Sequence, residues 1–390
     1  MAKIIFEKAH LFYSPNKILF GPHTVRALGT EVEQLAGKKV LIVTDPGVVK
    51  ADLLKPVKES LESAKIRYSV YDKVEPEPPI RCVDEATRQF RSEGCDMVVG
   101  IGGGSSLDVA KGVSLMATNE GTVLDMVGID LVRRRGVPKI LMPTTAGTGS
   151  EVTRVFVVTD EKDNMKKVVN SLYCLGDMAI VDPFLTLTLP PKVTAESGID
   201  ALVHAIETYV AMSATLFSDI LAEKAIDWIS RYLPTAWAKG SNLEARYFMS
   251  LAATVSGMAF ASGGLGAVHA LAYPIGIDYH LPHGRSNAIM LPHVMRYNLL
   301  GSLEKYSRIA SLMGKDVEGL SVTEAAEVSV EGVETLLSSV DISFHLRDYG
   351  IPKEAIPKLV EGGMKFSRLF SPNPRDLKEQ DVQSIYQEAY

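Results

Sequence analysis

Short apolar runs rich in β-branched residues alternate with helical segments along the first half of the chain. The runs cover residues 39–44, 66–71, 96–101 and 138–143. The segments between them predict helices over residues 50–64, 83–92 and 107–115. Strands that alternate with helices in this way form βαβ units, whose strands are parallel and covered by helices on both faces. The first half is therefore predicted to be an α/β lobe built on a mostly parallel sheet.

The sequence changes character near residue 188. Beyond Leu189-Pro190-Pro191, long segments with apolar residues at helical spacing replace the β-branched runs. A chain of 390 residues is also long enough for two domains. We therefore predict a Rossmann-like α/β domain over residues 1–188 and an all-helical domain over residues 189–390.

Charge and cysteine content narrow the class of protein. There are 41 Lys and Arg against 47 Asp and Glu, and no basic run, so a nucleic-acid partner is not expected. An odd number of cysteines (Cys82, Cys95 and Cys174) suits a reducing compartment rather than a disulfide framework. Residues 1–8 lack the long apolar stretch of a signal peptide. These features together predict a cytoplasmic protein of enzyme size.

One stretch is long enough to cross a bilayer. Residues 247–277 contain no Lys, Arg, Asp or Glu. The stretch is, however, interrupted by glycines and serines, by His269 and by Pro274, whereas a membrane span carries more large aliphatic residues and has positive charge on one flank. We expect one or two buried helices that pack closely through small residues, and no membrane association.

A glycine-rich loop follows the third predicted strand. Gly102, Gly103, Gly104 and Ser105 stand between that strand and a helix, where glycines let the backbone approach a pyrophosphate and the helix N-terminus offers free N–H groups. Ser105 occupies the place of the third glycine of the usual dinucleotide fingerprint, and no P-loop lysine follows. The loop therefore predicts a nucleotide site, with a plain tight turn as the alternative.

Two further loops belong to the same predicted sheet edge. Asp45 ends the first strand, where a carboxylate can bind the ribose hydroxyls of NAD and repel the additional phosphate of NADP. Thr144, Thr145 and Thr148 follow the fourth strand and add hydroxyl groups. Asp45 could instead be only a turn former before Pro46-Gly47, and the threonine loop could be only a solvated connection.

Histidines cluster in the second half. Four of the eight lie within 25 residues from His269 onward, and Asp200 and His204 share one helix face because they are four residues apart. His283 follows Pro282, in a loop or at a helix start. One aspartate and three histidines suit a divalent ion such as Fe²⁺, Zn²⁺, Ni²⁺ or Co²⁺. Histidines that are simply hydrogen-bonded in a core are the alternative.

These residues belong to motifs that resemble the iron-containing (group III) alcohol dehydrogenases along nearly the whole chain. The matching segments are Gly102-Gly103-Gly104-Ser105-x-x-Asp108-x-x-Lys111, the nine residues from Pro143 to Glu151, Ala179-Ile180-Val181-Asp182-Pro183, the ten residues from Gly198 to Glu207, Gly266-Ala267-Val268-His269-Ala270, Pro282-His283-Gly284 and Asn373-Pro374-Arg375. Several long motifs in the right order make the resemblance specific. It implies the two-domain architecture shared with dehydroquinate synthase-like enzymes, with an N-terminal dinucleotide-binding domain and a C-terminal metal-binding domain.

The resemblance also implies an activity and a set of site residues. The implied metal ligands are Asp200, His204, His269 and His283, for Fe²⁺ with Zn²⁺ as the second choice. The implied NAD contacts are Asp45, Gly102, Gly103, Gly104, Ser105, Asp108, Thr144, Thr145 and Thr148. The expected reaction is hydride transfer between NAD(H) and a short primary alcohol or diol, of the propanediol or lactaldehyde kind. The expected assembly is a homodimer or larger homo-oligomer.

The sequence departs from the family pattern at two positions. Tyr273 stands where most members have a second histidine four residues after His269, and Ser262 stands where asparagine is common. Both positions would lie near substrate or nicotinamide, so Tyr273 is a candidate contact to substrate or ribose. Pro274 directly after it disfavours continued helix and predicts that the helix ends there.

Three other functions compete with this one. A hydroxyacid–oxoacid transhydrogenase keeps its cofactor bound, so multiple turnovers with free NAD would exclude it. A dehydroquinate synthase-like lyase needs a basic cluster for its substrate, whereas Arg285 and Arg296 alone stand near the implied ligands in the sequence. A non-catalytic assembly protein would bind neither metal nor NAD.

Overall fold

A computed structural model of the chain describes residues 9–163 and 165–390. Residues 1–8, on which the expectation of no signal peptide rests, lie outside the described residues. The described strands are β1 (Lys17–Phe20), β2 (Lys39–Val43), β3 (Arg67–Tyr71), β4 (Met97–Gly102), β5 (Gly128–Ile129), β6 (Lys139–Pro143), β7 (Val155–Asp160), β8 (Met165–Asn170) and β9 (Met178–Val181). The helices of this half are α1 (Leu28–Gln34), α2 (Pro46–Lys50), α3 (Leu54–Ser63), α4 (Ile80–Ser92) and α5 (Gly104–Met116).

The main sheet is parallel, as predicted. Its order is β1-β9-β6-β4-β2-β3. Strand β2 therefore has β3 on one side and β4 on the other, so the strand order reverses between β2 and β4. Val40 and Ile42 enter the apolar core on one face, while Leu41 and Val43 enter the core on the other. Successive strand residues point to opposite faces, so a sheet covered on both sides needs such an uninterrupted apolar run. The reversal between β2 and β4 opens a crevice at their carboxyl ends.

The helix predicted over residues 50–64 is two helices. The Asp45 carboxylate accepts hydrogen bonds from the N–H groups of Gly47 and Val48, so α2 begins at Pro46, earlier than predicted. Asp52 has φ 56°, a left-handed conformation that interrupts the helical path before α3 begins at Leu54. The interruption depends on one polar residue, which the apolar periodicity does not reveal.

A second sheet was not predicted. Strands β5, β8 and β7 form it, with β7 and β8 antiparallel and Val155 opposite Asn170. In β7 the residues alternate between buried and half-buried, so Phe156 and Val158 face the core. Lys166 and Lys167 in β8 obscure its apolar pattern in the sequence. This hairpin matters for function because it forms one wall of the cleft described below.

The second half of the chain is helical around one apolar core, as predicted. Its helices are α6 (Pro191–Val210), α7 (Leu216–Ala238), α8 (Leu243–Gly263), α9 (Ala267–Tyr279), α10 (His283–Asn298), α11 (Leu303–Leu312), α12 (Val322–Ser339), α13 (Ile356–Met364) and α14 (Glu379–Glu388). The charge-free stretch forms most of α8 and α9, in agreement with the expectation of one or two buried helices. Among the described helices none alone has the length and hydropathy of a membrane span; α8 and α9 reach them only together, with a 110° bend between them.

The predicted end of the helix at Tyr273 is wrong. Helix α9 continues through Pro274 to Tyr279, although proline cannot donate its backbone hydrogen bond. Tertiary contacts support this turn: a Cβ on Gly362 of α13 would lie 2.6 Å from Pro274, and the Tyr386 hydroxyl donates to the Leu271 carbonyl at 2.7 Å. Close packing against α13 and α14 thus outweighs the local preference of the proline.

The loop after β6 joins the two halves. Gly149 has φ 61°, and a Cβ on it would lie 2.5 Å from the Cα atom of Gly257 in α8, so only glycine fits this contact. The Thr254 hydroxyl of α8 donates to the buried Glu151 carboxylate at 2.9 Å. The sheet edge is therefore fixed directly against the helical half.

Candidate active site

A cavity of about 610 Å³ lies where the two halves meet. The sheet edge contributes Gly104, Ser105, Asp108 and Thr148 to its wall, and the β7–β8 hairpin contributes Val155, Val157, Lys166 and Val168. The helical half contributes the four predicted metal ligands together with Phe260, Ser262, Tyr273 and Arg368. Four of the predicted nucleotide residues and all four predicted metal ligands thus face one space, with the volume typical of a ligand site. The other predicted nucleotide residues, Asp45, Gly102, Gly103, Thr144 and Thr145, are not among the residues that line it.

The glycine-rich loop gives the cavity an uncapped helix end. Gly102 has φ 149°, and a Cβ on it would lie within 3 Å of Ser106 and Asp45, so the turn requires glycine. Gly103 precedes α5 and offers no side chain to cap it. The first N–H groups of α5 therefore remain available to an anion, and the helix dipole favours negative charge there.

Asp45 already has protein partners at this edge. One carboxylate oxygen caps α2, and the other accepts the Ser106 hydroxyl at 2.9 Å. The turn-forming role that the sequence left open is therefore present. A carboxylate oxygen has more than one lone pair, so these contacts leave acceptor capacity for ribose hydroxyls.

Asp108 and the threonine loop are held mainly by protein contacts. Asp108 accepts the Ser150 hydroxyl at 2.6 Å and the Val157 N–H at 2.9 Å, so it fastens the loop and the hairpin to α5. The Thr144 N–H donates to the Gly102 carbonyl, while the side chains of Thr145 and Thr148 lie against Gly103 and Gly104 respectively. These contacts place the threonines beside the uncapped start of α5.

Three of the predicted metal ligands converge. Ligand atoms of Asp200, His269 and His283 lie within 4.8 Å of one another, on α6, α9 and α10. Asp200 and His269 are buried, and the His283 side chain is 36% exposed toward the cavity. One carboxylate and two imidazoles in this arrangement are donors that suit a borderline divalent cation and leave coordination positions for further ligands.

A carboxylate behind His269 fixes the orientation of its ring. Glu207, one turn beyond His204 on α6, places Oε2 2.5 Å from Nδ1 of His269 and accepts the Val268 N–H with Oε1. With Nδ1–H donating to the carboxylate, Nε2 keeps its lone pair for the site. The sequence motifs gave Glu207 no role of its own, although its position seven residues after Asp200, on the same helix face, was a usable signal.

His204 is brought to the cluster but not into the converging triad. Its ring stacks on that of His269, with centroids 5.0 Å apart, and on Phe260 at 4.8 Å. Its Nδ1 atom is buried and has no hydrogen-bond partner among the described residues. Burial lowers the pKa of His204 to about 3, so the imidazole is neutral near neutral pH. A neutral buried imidazole beside the triad is consistent with a fourth ligand.

An amide to which the sequence motifs gave no role lies at the centre of the triad. Nδ2 of Asn287, one turn after His283 on α10, donates to Asp200 at 2.7 Å and lies 3.3 and 3.2 Å from Nε2 of His269 and His283. Burial alone would raise the pKa of Asp200, but the histidines and Asn287 outweigh it and hold the pKa below its usual value. Burial lowers the pKa of His283. The ionised aspartate and neutral imidazoles are the forms that bind metal.

The two departures from the family pattern both face the cavity. The Tyr273 ring stacks on His283, with centroids 5.7 Å apart, and packs against Phe366 at 4.7 Å. Burial raises the pKa of Tyr273 to about 12, so the phenol remains protonated near neutral pH. Ser262 accepts the Tyr13 N–H at 3.2 Å, which ties the N-terminal segment to the end of α8.

Known protein families and solved structures match this chain along nearly its whole length. The model for "Iron-containing alcohol dehydrogenase" matches residues 15–183, and that for "Fe-containing alcohol dehydrogenase family, C-terminal" matches residues 194–390. A 1,3-propanediol dehydrogenase of Klebsiella pneumoniae is 40% identical over 378 residues, covering 96% of this chain and 97% of that protein.

Solved structures agree in fold. The crystal structure of a 1,3-propanediol oxidoreductase has a TM-score of 0.96 at 39% identity and covers 98% of this chain and 100% of that one. A sulfoacetaldehyde reductase from Bifidobacterium kashiwanohense, solved in complex with NAD⁺, has a TM-score of 0.88 at 27% identity and covers 98% and 99% of the two chains. The predicted resemblance is confirmed: this chain belongs to the iron-containing alcohol dehydrogenase family and is an oxidoreductase that acts on alcohols or aldehydes.

Proposed function

We propose that this chain uses NAD(H) and one divalent metal ion, Fe²⁺ before Zn²⁺, to interconvert a short primary alcohol or diol with its aldehyde. One observation carries the proposal: the Asp200–His269–His283 triad and the uncapped start of α5 face the same cavity. The first suits a cation and the second suits a pyrophosphate. Similarity to a 1,3-propanediol dehydrogenase supports a small hydroxylated substrate.

The first half of the chain would bind NAD, and the second half would bind the metal ion. Asp45 would bind ribose hydroxyls, while Gly102, Gly103, Gly104 and Ser105 would hold the pyrophosphate, with Thr144, Thr145 and Thr148 beside them. Asp200, His204, His269 and His283 would hold the ion. A divalent ion in such a site acts as a Lewis acid toward an alcohol or carbonyl oxygen. The nicotinamide supplies the hydride chemistry, so the alcohol loses a hydride and a proton when NAD⁺ becomes NADH.

Around the reacting centre, the chain shapes the space and keeps its groups in defined protonation states. Phe260 and Leu265 form an apolar part of the cavity wall. The protonated Tyr273 phenol offers a hydrogen-bond donor beside His283. Lowered pKa values keep His204 and His283 neutral and Asp200 ionised near neutral pH, and this carboxylate charge complements a divalent cation.

The test is turnover by protein stripped of metal and then reloaded. Apoprotein should not reduce NAD⁺ with 1,3-propanediol, 1,2-propanediol or ethanol, and anaerobic addition of Fe²⁺ should restore NADH formation, read at 340 nm. The same assay with NADP⁺ tests cofactor choice. Full activity without metal, or no NADH with any alcohol after loading, would refute the proposal. Many turnovers with free NAD⁺ would also exclude the bound-cofactor transhydrogenase.

We further propose a cytoplasmic homodimer or larger homo-oligomer. All three cysteines are buried free thiols, which supports a reducing compartment. Met212, Leu216, Phe217 and Ile220 are exposed close together around the start of α7, and apolar patches of this kind commonly mark protein–protein interfaces. Light scattering coupled to gel filtration should give a multiple of 42.4 kDa.

A further inference from the structure

Arg368 brings positive charge to the substrate end of the cavity. It lies just after Phe366, whose ring packs on Tyr273, and it shares the cavity wall with Tyr273, His269 and His283. The Arg368 residue is exposed, and its guanidinium has no ion pair or hydrogen bond with any residue that the structure describes. An arginine fork that faces a ligand cavity without a protein partner keeps its full capacity to bind an anion.

The other cations of the cavity are already paired. Arg154 donates to Asn170 and to Asp130, both at 2.7 Å. Lys166 lies 2.9 Å from the Glu77 carboxylate. Their charge is therefore largely compensated within the protein, whereas that of Arg368 is not.

The segment that carries Arg368 is fastened at its far end. Asn298 and Asn373 exchange two amide hydrogen bonds of 2.8 Å, and both residues are buried. The Met212 N–H donates to the Pro372 carbonyl at 2.8 Å. On the near side, Phe366 is held by its ring contact with Tyr273. Arg368 thus belongs to a short segment anchored at both ends, and it lines the same cavity as Asp200, His269 and His283.

We propose that Arg368 binds an anionic group, a carboxylate or sulfonate, at the end of the substrate remote from the reacting carbon. This inference rests on the proposed function and makes it more specific: beside neutral alcohols, the site would accept ω-oxoacids and the matching hydroxyacids, and it would favour them over uncharged substrates of the same length. Two ring contacts, His283 to Tyr273 and Tyr273 to Phe366, separate the cluster from the segment of Arg368. A short spacer must therefore join the carbonyl to the anion, which favours succinate semialdehyde over glyoxylate.

The test compares matched aldehydes with and without charge. For Fe²⁺-loaded enzyme and NADH, kcat/KM for succinate semialdehyde should exceed that for butanal by about 10-fold or more. Arg368→Gln should lower kcat/KM for succinate semialdehyde roughly 10–100-fold, mainly through KM, so that the ratio of kcat/KM for succinate semialdehyde to that for butanal falls by about 10-fold or more. Arg368→Lys should retain part of the preference. Arg347→Gln changes an arginine that is exposed outside the cavity, and it should leave kcat/KM unchanged for both aldehydes.

Binding provides a readout that does not depend on turnover. Enzyme loaded with metal and NAD⁺ is titrated with 4-hydroxybutyrate in a calorimeter. The wild type and Arg347→Gln should bind 4-hydroxybutyrate, and Arg368→Gln should bind it much more weakly. Equal binding by the wild type and Arg368→Gln, or no preference for the anionic aldehyde, would overturn the role of Arg368 even if neutral aldehydes are reduced. Binding that depends on Arg368 without any turnover would instead support the anion site and refute the proposed reaction.

Discussion

The carboxyl edge of the sheet and the histidine cluster face one cavity but present polar groups in different ways. At the sheet edge, the groups offered to a ligand are mainly backbone N–H groups at the start of α5, and Asp45 and Asp108 are bonded to other protein groups. In the cluster, the groups offered are side-chain atoms from three helices, backed by Glu207 and Asn287.

This difference predicts how each region responds to mutation. A backbone N–H remains when a side chain is changed, so substitutions at the sheet edge should alter selectivity and stability more than they abolish binding. A side-chain ligand is lost entirely, and the remaining buried donors cannot rearrange easily because their helices are packed in one core. The cluster should therefore give the largest effects.

Removal of a triad histidine should cost the most. His269→Ala or His283→Ala leaves two of the three converging ligands, so bound metal should fall far below one per chain and turnover by roughly 10³-fold or more. Elemental analysis and NADH formation measure both quantities. His280→Asn is the matched control, because His280 is exposed and has φ 54°, a conformation that asparagine tolerates. Metal and activity retained in either alanine variant would disprove the ligand assignment.

Loss of the carboxylate behind His269 should have the next largest effect. Glu207→Gln keeps the size of the side chain but removes the charge that orients Nδ1–H, so metal affinity should fall roughly 10–100-fold. Competition with a chromophoric chelator measures the affinity. Glu223→Gln on α7, which pairs with Tyr209 and Arg308 instead, should leave the affinity unchanged. Equal affinities for Glu207→Gln and the wild type would mean that packing alone orients His269.

The sequence predicted the sheet edge well because its signals are local. The glycine-rich loop follows a strand directly, and parallel strands bring their carboxyl ends to one edge, so Asp45 and Gly102 become neighbours without further information. The local pattern did not predict the hydrogen bond from Ser106 to Asp45, because this contact depends on how tightly the glycine-rich loop turns.

The cluster was predictable only in part. The four-residue spacing of Asp200 and His204 places them on one helix face, but the approach of His269 and His283 depends on the packing of α6, α9 and α10 and was given only by family resemblance. The helix end predicted from Pro274 was wrong because α9 is supported there by contact with Gly362, a residue remote in sequence. Arg368 was missed for the same reason, since its segment is anchored by the pairing of Asn298 with Asn373, 75 residues apart.

Charge at the sheet edge should affect cofactor choice rather than catalysis. The wild type should prefer NAD over NADP by about 10–100-fold, or about 1.4–2.8 kcal/mol, because the Asp45 carboxylate repels a 2′-phosphate. Asp45→Asn and Asp45→Ala should both relax that ratio. Only the alanine variant also loses the cap of α2, so it alone should lower the free energy of unfolding, by about 1 kcal/mol. A wild type that prefers NADP would leave Asp45 with its capping role alone.

The smallest effect is expected at Tyr273, although it touches the cluster. Burial raises the pKa of its phenol to about 12, so the group stays neutral at every pH well below that value and cannot act as a base near neutrality. Its ring is held between His283 and Phe366, and phenylalanine preserves both contacts. Tyr273→Phe should therefore lower kcat by less than about 10-fold, leave metal content unchanged and give the wild-type pH profile between pH 6 and 9. Tyr273→His should instead add an ionisation to that profile, because imidazole titrates in this range. If Tyr273→Phe were as inactive as His283→Ala, the phenol would be an essential hydrogen-bond donor. The chemistry would then not depend on the metal ligands alone.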